Sequence, residues 1–246
     1  MAENNSFPLH EAARDGQVLI VKGLVGETPN AVLQKDLDGR IPLHWAVSFS
    51  HIEIVSILLN PNKFTKEGAK KITFDIDDFT DDSGWTALHI ASAIGNIDIV
   101  ELLLEHDPEP DVNLPTNTGL TPVHLATAKK HLDVIKVLVK KGASVRAKDN
   151  KGQQALHRAV SVGAVGIVKY LVEEQKAPLN VKDSMGWTPL HHALAEGFGD
   201  IGALLVKSGA DPSIEDSNGQ TALRVAVDDK VAQFFKSECA NNGIEL

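Results

Sequence analysis

Cysteine is almost absent from this sequence of 246 residues, because Cys239 is the only one. A single thiol cannot form an internal disulfide and cannot complete a zinc quartet, so a disulfide framework and a zinc finger are both excluded. Aromatic residues are scarce as well, at 5% of the chain. Aliphatic side chains must therefore fill most of the core.

An excess of positive charge and long apolar runs are also missing. The formal net charge is −9, which argues against broad nucleic-acid binding, because that binding needs a basic field. No apolar run reaches about 18 residues, the length of a transmembrane helix. The first residues have neither the basic nor the apolar part of a signal peptide. We expect a cytoplasmic and nuclear protein that binds neither nucleic acid nor membranes.

A short motif recurs along the chain at a nearly constant period. It combines Pro or Ala, Leu or Val, His, one variable residue and Ala, as in Pro42–Ala46. Successive copies are spaced by 34, 45, 35, 33, 34 and 33 residues, so only the second interval deviates. The motif histidines are His10, His44, His89, His124, His157 and His191, and a seventh copy has Arg224 in that position.

This motif and period are typical of ankyrin repeats. An Asp-rich or Asn-rich turn that ends in Gly precedes most copies, and an apolar segment with helical periodicity follows each one, as in Ile52–Leu59. We predict an all-α ankyrin-repeat solenoid of seven helix-turn-helix repeats with β-turn tips, forming a single domain over residues 1–246. The repeats are predicted to start near residues 6, 39, 84, 119, 152, 186 and 219.

Each motif position has a structural interpretation. Thr86, Thr121 and Thr188 stand where a hydroxyl can cap the first helix, and Pro suits the first helical turn because its missing N–H is not needed there. The Leu is expected in the core between repeats. The histidine is expected to hydrogen-bond the neighbouring turn, which explains six of the ten histidines without catalysis or a metal.

The long second interval predicts an insertion at about residues 60–71. This stretch carries Lys63, Lys66, Lys70 and Lys71, and five carboxylates follow it between Asp75 and Asp82. A calcium loop needs a D-x-D-x-D-G order with a distal Glu, which is absent here. We interpret both stretches as solvated loops and expect no metal and no cofactor.

Enzyme motifs are represented by one literal match. Gly197–Gly202 fits G-x-G-x-x-G, but a dinucleotide site needs a preceding strand, and the preceding segment is predicted to be a helix. Cys239 has no histidine near it in sequence. An enzyme that uses either feature is the rival hypothesis, and tight NAD(P) binding would support it. We instead expect a non-enzymatic protein.

Function is then expected on the concave face that repeat proteins present to partners. The residue after each motif histidine, and the residues four and five positions after it, are predicted to face this groove. Large aromatic residues and Arg are common anchors at interfaces. The predicted partner-binding residues on this basis are Arg40, Trp45, Phe49, Trp85, Lys129, Arg158, His192 and Glu196, beside an acidic tip at Asp81 and Asp82.

Residues 33–49 and 186–197, with several segments between them, resemble the gankyrin family, in particular its fungal branch. The similarity covers nearly the whole chain in register and includes surface residues that folding alone does not demand. The L-x-C-x-E element of the animal protein, reported to engage retinoblastoma-type proteins, has no counterpart at His192–Glu196. The segments that carry the resemblance are residues 33–49, 81–91, 142–146, 157–163 and 186–197.

The resemblance implies a chaperone for assembly of the 19S regulatory particle of the proteasome. Such a chaperone holds the C-terminal domain of one AAA+ ATPase subunit of the base, regulatory subunit 6B, in its groove and delays docking on the 20S core particle. Arg40 and Lys129 match family basic residues that pair with partner carboxylates. Trp45 and Trp85 match groove aromatics, and Asp81 and Asp82 match acidic tip residues that face basic groups of the partner.

A different ankyrin adaptor, which regulates a transcription factor or a kinase through the same groove, is the alternative within the binding class. In either case we expect a monomer.

Overall fold

The computed structural model describes residues 7–66 and 70–244, and within them the regular structure is helical. The chain divides into two compact units, Met1–Asn117 and Thr118–Leu246. The helices of the first unit are α1 (Pro8–Arg14), α2 (Val18–Glu27), α3 (Pro42–Ser48), α4 (Ile52–Leu59), α5 (Ala87–Ile94) and α6 (Ile97–Leu104). The helices of the second unit are α7 (Pro122–Ala128), α8 (Leu132–Lys140), α9 (Ala155–Ser161), α10 (Val165–Lys169), α11 (Pro189–Ala195), α12 (Gly199–Lys207) and α13 (Asp229–Asn241).

Helix pairs repeat within each unit, as predicted. In the first unit α3 packs on α5 and α4 packs on α6, and in the second unit α9 packs on both α7 and α11. The ankyrin-repeat prediction of the fold class is confirmed. Whether the repeats form a single domain over residues 1–246 stays a prediction. Within the described residues, no helix is both long enough and apolar enough to span a membrane.

The motif histidine organises the start of the first helix in five repeats, at His44, His89, His124, His157 and His191. In α7, the Nδ1 atom of His124 accepts hydrogen bonds from the backbone N–H of Thr121 at 3.1 Å and from the Thr121 hydroxyl at 2.9 Å. A nitrogen that accepts cannot carry the ring proton, so the proton resides on Nε2. Nε2 then donates to the backbone carbonyl of Gln153 in the next repeat, at 3.1 Å.

The predicted role of this histidine is confirmed by the same contact in five other repeats. Each ring links its own first helix to a carbonyl of the following repeat, at 2.9 to 3.2 Å. The carbonyls belong to Arg40 for His10, Trp85 for His44, Leu114 for His89, Val181 for His157 and Gln220 for His191.

The core is aliphatic, as the shortage of aromatic residues requires. The motif leucines Leu43, Leu88, Leu156 and Leu190 are at most 1% exposed. Each such side chain contributes roughly 1.5–3 kcal/mol on burial, but only when a neighbouring repeat covers it. The predicted placement of these leucines is confirmed.

The last repeat departs from the others. Its motif segment, residues 221–226, forms turns instead of a first helix, and this copy has Arg224 in the position of the motif histidine. The two apolar rings in the otherwise polar second helix of this repeat predict that Phe234 and Phe235 both turn inward, and this prediction is half wrong: Phe235 is 1% exposed and Phe234 is 49% exposed. Adjacent residues on a helix point about 100° apart, so α13 buries only one of the two rings.

The predicted insertion at residues 60–71 begins where α4 ends. Two hydrogen bonds between Asn62 and Ile72 close it. Nδ2 of Asn62 donates to the backbone carbonyl of Ile72 at 2.7 Å, and the backbone N–H of Ile72 donates to Oδ1 of Asn62 at 2.8 Å. Residues 67–69 of the insertion lie outside the described residues.

Two carboxylates of the acidic run after the insertion accept backbone hydrogen bonds, one within a local turn and one from a distant segment. Asp75 accepts the backbone N–H of Asp77, and Asp77 accepts that of Asp111. Burial raises the pKa of Asp77, and the neighbouring carboxylates add to this rise. Across residues 7–66 and 70–244, no group of three His, Cys, Asp or Glu residues is placed to hold a metal ion.

Candidate protein-interaction surface

Five aspartates at a constant position build the turn tips. Each stands three residues before the turn glycine, and its Oδ1 atom accepts the backbone N–H groups two and four residues later. Asp81 shows the pattern, with Ser83 at 2.9 Å and Trp85 at 3.0 Å. The other members are Asp36, Asp149, Asp183 and Asp216.

The Oδ2 atom of each of these aspartates accepts a hydrogen bond from a side chain. Four of the five donors are predicted partner-binding residues, and the fifth is Trp187. In three repeats the donor is the residue after the motif histidine: Trp45 binds Asp36 at 2.7 Å, Arg158 binds Asp149, and His192 binds Asp183 at 2.9 Å. In others the donor comes from the preceding repeat: Arg40 binds Asp81 at 3.2 Å and Trp187 binds Asp216 at 3.1 Å. These side chains therefore fix the tips in place.

These contacts favour the charged state of Asp149 and Asp183. Burial raises the pKa of Asp149, but hydrogen bonds from the side chain of Arg158 and from backbone amides outweigh it, so the pKa lies below its usual range. The same balance lowers the pKa of Asp183, where His192 supplies the first hydrogen bond. Both carboxylates are therefore ionised at neutral pH.

The first unit presents a stack of rings that ends in solvent. The guanidinium of Arg40 lies 5.2 Å from the centre of the Trp45 ring, a contact worth about 0.5–1 kcal/mol at an exposed site. The rings of Trp45 and Phe49 are 6.3 Å apart at 21°, and those of Phe49 and His51 are 6.4 Å apart at 11°. Phe49 is 52% exposed, so the stack offers a preformed aromatic surface.

The two carboxylates of the acidic tip in the first unit differ in exposure and in role. Asp81 is 9% exposed and holds both its own turn and Arg40. Asp82 is exposed and is therefore free to meet a partner cation. Trp85 is half-buried, with its ring 6.4 Å from that of His89.

In the second unit, too, some residues predicted to bind a partner are exposed and others are held by contacts within the protein. Lys129 and Glu196 are exposed at the ends of α7 and α11. Arg158 is half-buried on Asp149, and His192 is only 6% exposed. Contact of any of these residues with a partner stays a prediction, but the structure already gives Arg158 and His192 an internal role.

The segment that matches G-x-G-x-x-G packs against α13. A Cβ atom on Gly199 would lie 2.8 Å from Phe234, and one on Gly202 would lie 2.9 Å from Leu194. These glycines are explained by close helix packing, and the predicted helix before them is confirmed as α11. Cys239 is fully buried, and burial raises the pKa of its thiol.

Comparison with known proteins extends these observations. A family profile described as "Ankyrin repeats (3 copies)" matches residues 1–71, 66–149 and 142–216. A protein of Saccharomyces cerevisiae named "Probable 26S proteasome regulatory subunit p28" is 44% identical over 94% of this chain and 98% of its own length. The chain belongs to the gankyrin family. The present chain is also 38% identical to an ankyrin repeat-containing protein of Schizosaccharomyces pombe, and the alignment covers 92% of this chain and 92% of that protein.

Solved structures agree with the fold. The ankyrin repeat domain of Bcl-3 has a TM-score of 0.76 at 26% identity and covers 95% of this chain and 100% of its own. The human ASB11 ankyrin repeat domain has a TM-score of 0.77 at 24% identity, covering 94% of this chain and 97% of its own. Ankyrin repeats are protein-interaction modules and are typically not catalytic.

Sequence reasoning named Asp81 but missed the other four tip aspartates and the role that all five share in the turns. The signal was present, because Asp36, Asp81, Asp149, Asp183 and Asp216 each precede a turn glycine by three residues. The link of Asp36, Asp149 and Asp183 to the residue nine positions later, as in Asp36 to Trp45, is visible only in the structure.

Proposed function

We propose that this protein is a non-enzymatic chaperone for assembly of the 19S regulatory particle of the proteasome. The single observation that carries the proposal is the 44% identity to the yeast regulatory subunit p28 over 94% of the chain. The proposed partner is the C-terminal domain of one AAA+ ATPase subunit of the base, regulatory subunit 6B, held against the repeats.

The exposed candidate residues of each unit support a partner with mixed charge and apolar side chains. Phe49 supplies apolar area on a rigid stack, and large aromatic side chains are frequent anchors of interfaces. Lys129 supplies a cation for a partner carboxylate, and Asp82 and Glu196 supply anions for partner basic groups. Because these charges are exposed, binding is expected to weaken as salt is added.

The two features that suggested catalysis both have a structural explanation, which supports the proposal that the protein is not an enzyme. The glycines of residues 197–202 have a packing role against α13. The thiol of Cys239 is buried with a raised pKa, which is the opposite of an activated nucleophile. A titration with NAD(P) is expected to show no binding.

The test is capture of proteasomal subunits from cell lysate with the purified protein. The decisive variant is Phe49→Ala/Lys129→Glu, because both side chains are exposed and neither holds a tip aspartate. By contrast, Arg40→Glu would leave the buried carboxylate of Asp81 without its partner, so a loss of binding could reflect misfolding. Lys236→Glu, on the exposed face of α13, serves as the control.

Wild type and the control are expected to enrich one AAA+ ATPase subunit, and the double variant to enrich it about tenfold less. If wild type enriches no proteasomal ATPase, the chaperone proposal is wrong; enrichment of a transcription factor or kinase would favour the alternative adaptor. Equal capture by the double variant would reject these residues as the site. We also propose a cytoplasmic and nuclear location, which a fluorescent fusion would test.

A further inference from the structure

Charge is strongly segregated along the chain. Residues 72–128 contain 11 Asp and Glu and no Lys or Arg, whereas residues 129–182 contain 12 Lys and Arg and only 4 Asp and Glu. The net charge of −9 therefore hides a markedly basic segment within the second unit. The groove residues described above account for only two of its cations, Lys129 and Arg158.

Five of the remaining cations are brought together on two adjacent loops. Nη2 of Arg146 donates to the backbone carbonyl of Lys176 at 3.2 Å, and Nζ of Lys148 donates to that of Lys182 at 3.5 Å. The carbonyl of Lys151 accepts the backbone N–H of Ser184 at 2.9 Å, which joins the same two loops. We call this cluster the basic ridge; its members are Arg146, Lys148, Lys151, Lys176 and Lys182.

The acids within these loops do not neutralise the ridge. Asp149 and Asp183 are 6% and 7% exposed, and their carboxylates are engaged by the turn amides and by Arg158 and His192. Glu173 and Glu174 are exposed on the helical turn that precedes the second loop. All five ridge cations are exposed, so their positive field extends into solvent.

We propose that the basic ridge is a second docking surface, which takes a short acidic segment of a partner protein. Charge complementarity supports this occupant: five exposed cations on two loops joined by hydrogen bonds match a run of Asp and Glu side chains. The inference goes beyond the proposed chaperone function, because it uses none of the residues assigned to the ATPase partner.

Nucleic acid fits the ridge less well than an acidic peptide does. Sequence-tolerant binding of single strands relies on aromatic rings that stack with bases, and the one Phe, Tyr or Trp in residues 129–182 is Tyr170, which is buried. A long duplex would also extend beyond the ridge, and the rest of the chain is strongly acidic. A short acidic segment avoids this repulsion.

The experiment measures binding of a fluorescein-labelled deca-glutamate peptide by fluorescence anisotropy, at low and at physiological salt. The ridge variant is Lys148→Glu/Lys182→Glu. Its matched control is Lys230→Glu/Lys236→Glu, which changes the net charge equally at exposed positions of α13. Circular dichroism establishes that all three proteins are folded. A duplex DNA of about 20 base pairs is the competing ligand.

Wild type and the control are expected to bind the peptide with similar affinity, and the ridge variant about tenfold more weakly, with strong salt dependence. Equal weakening in the control would show that net charge, not the ridge, is responsible, and would overturn the proposal. So would an absence of binding at low salt, or DNA binding as tight as peptide binding. The ridge variant is expected to capture the ATPase as well as wild type does. Failure of the chaperone proposal and failure of the basic-ridge proposal are therefore seen in different experiments.

Discussion

Acidification from pH 7 to pH 5 is expected to destabilise this protein through its buried histidines. Burial lowers the pKa of His44 and of His157 to about 4, against 6.5 for an exposed histidine. Between these values the unfolded chain binds more protons than the folded chain does. The free energy of unfolding therefore falls as the pH falls through this window.

The size of the effect follows from the two pKa values. With folded values of about 4, linkage gives a loss of about 2 kcal/mol per ring at pH 5, or about 4 kcal/mol for both. Burial lowers the pKa of His10, His124 and His191 as well, and these changes act in the same direction. Asp36, Asp149 and Asp183, whose pKa values are lowered, lose their contribution only at more acidic pH. A loss of this size is a large share of the roughly 5–15 kcal/mol that stabilise a typical domain.

Urea unfolding followed by circular dichroism at pH 7, 6 and 5 measures this loss. The variant His44→Gln/His157→Gln is expected to be less stable at pH 7 but to lose much less on acidification, because the two titrating rings are gone. His106→Gln, which removes a histidine outside the repeat motif, is the control and should keep the wild-type slope. An unfolding free energy that does not change between pH 7 and pH 5, or a double variant with the wild-type slope, would refute the reasoning.

Two further substitutions probe the tips and the helix packing. Arg158→Ala leaves the buried carboxylate of Asp149 without its charged partner and is expected to cost about 1–3 kcal/mol, seen as a lower urea midpoint; an unchanged midpoint would contradict the role given to this pair. Gly202→Ala places a Cβ atom 2.9 Å from Leu194 and 3.2 Å from Phe235 and is expected to destabilise by about 1–3 kcal/mol. Gly166→Ala is its control: its Cβ atom meets nothing within 4 Å and the change should stabilise α10 by about 0.5–1 kcal/mol, so a melting temperature that falls equally in both variants would reject the packing explanation.

The fold was predictable because its signals are local and repeated. Five of the six motif histidines accept a hydrogen bond from the residue three positions before them, as His124 does from Thr121, and such contacts follow from helix geometry alone. The last repeat was less predictable, since adjacent rings at Phe234 and Phe235 have equal hydropathy and only the packing against Gly202 decides which one is buried.

The candidate surface was predictable in position but not in exposure. The period correctly brought Trp45 and Phe49 onto one helix face, with their rings stacked. It could not show that His192 is enclosed, because that depends on a hydrogen bond to Asp183 across a turn. The basic ridge likewise depends on two loops from different repeats, 30 or more residues apart in sequence.

The histidine contact between repeats has a consequence for how the chain tolerates added length. His44 reaches the carbonyl of Trp85 across 41 residues, whereas His124 reaches that of Gln153 across 29. Loop closure depends on the logarithm of length, so the longer path costs only about 0.3 kcal/mol more. The pair of hydrogen bonds between Asn62 and Ile72 then forms a closed stem at the base of the extra segment. That stem marks the place where a foreign sequence, such as an affinity tag or a fluorescent reporter, could be grafted while the repeats on either side keep their register.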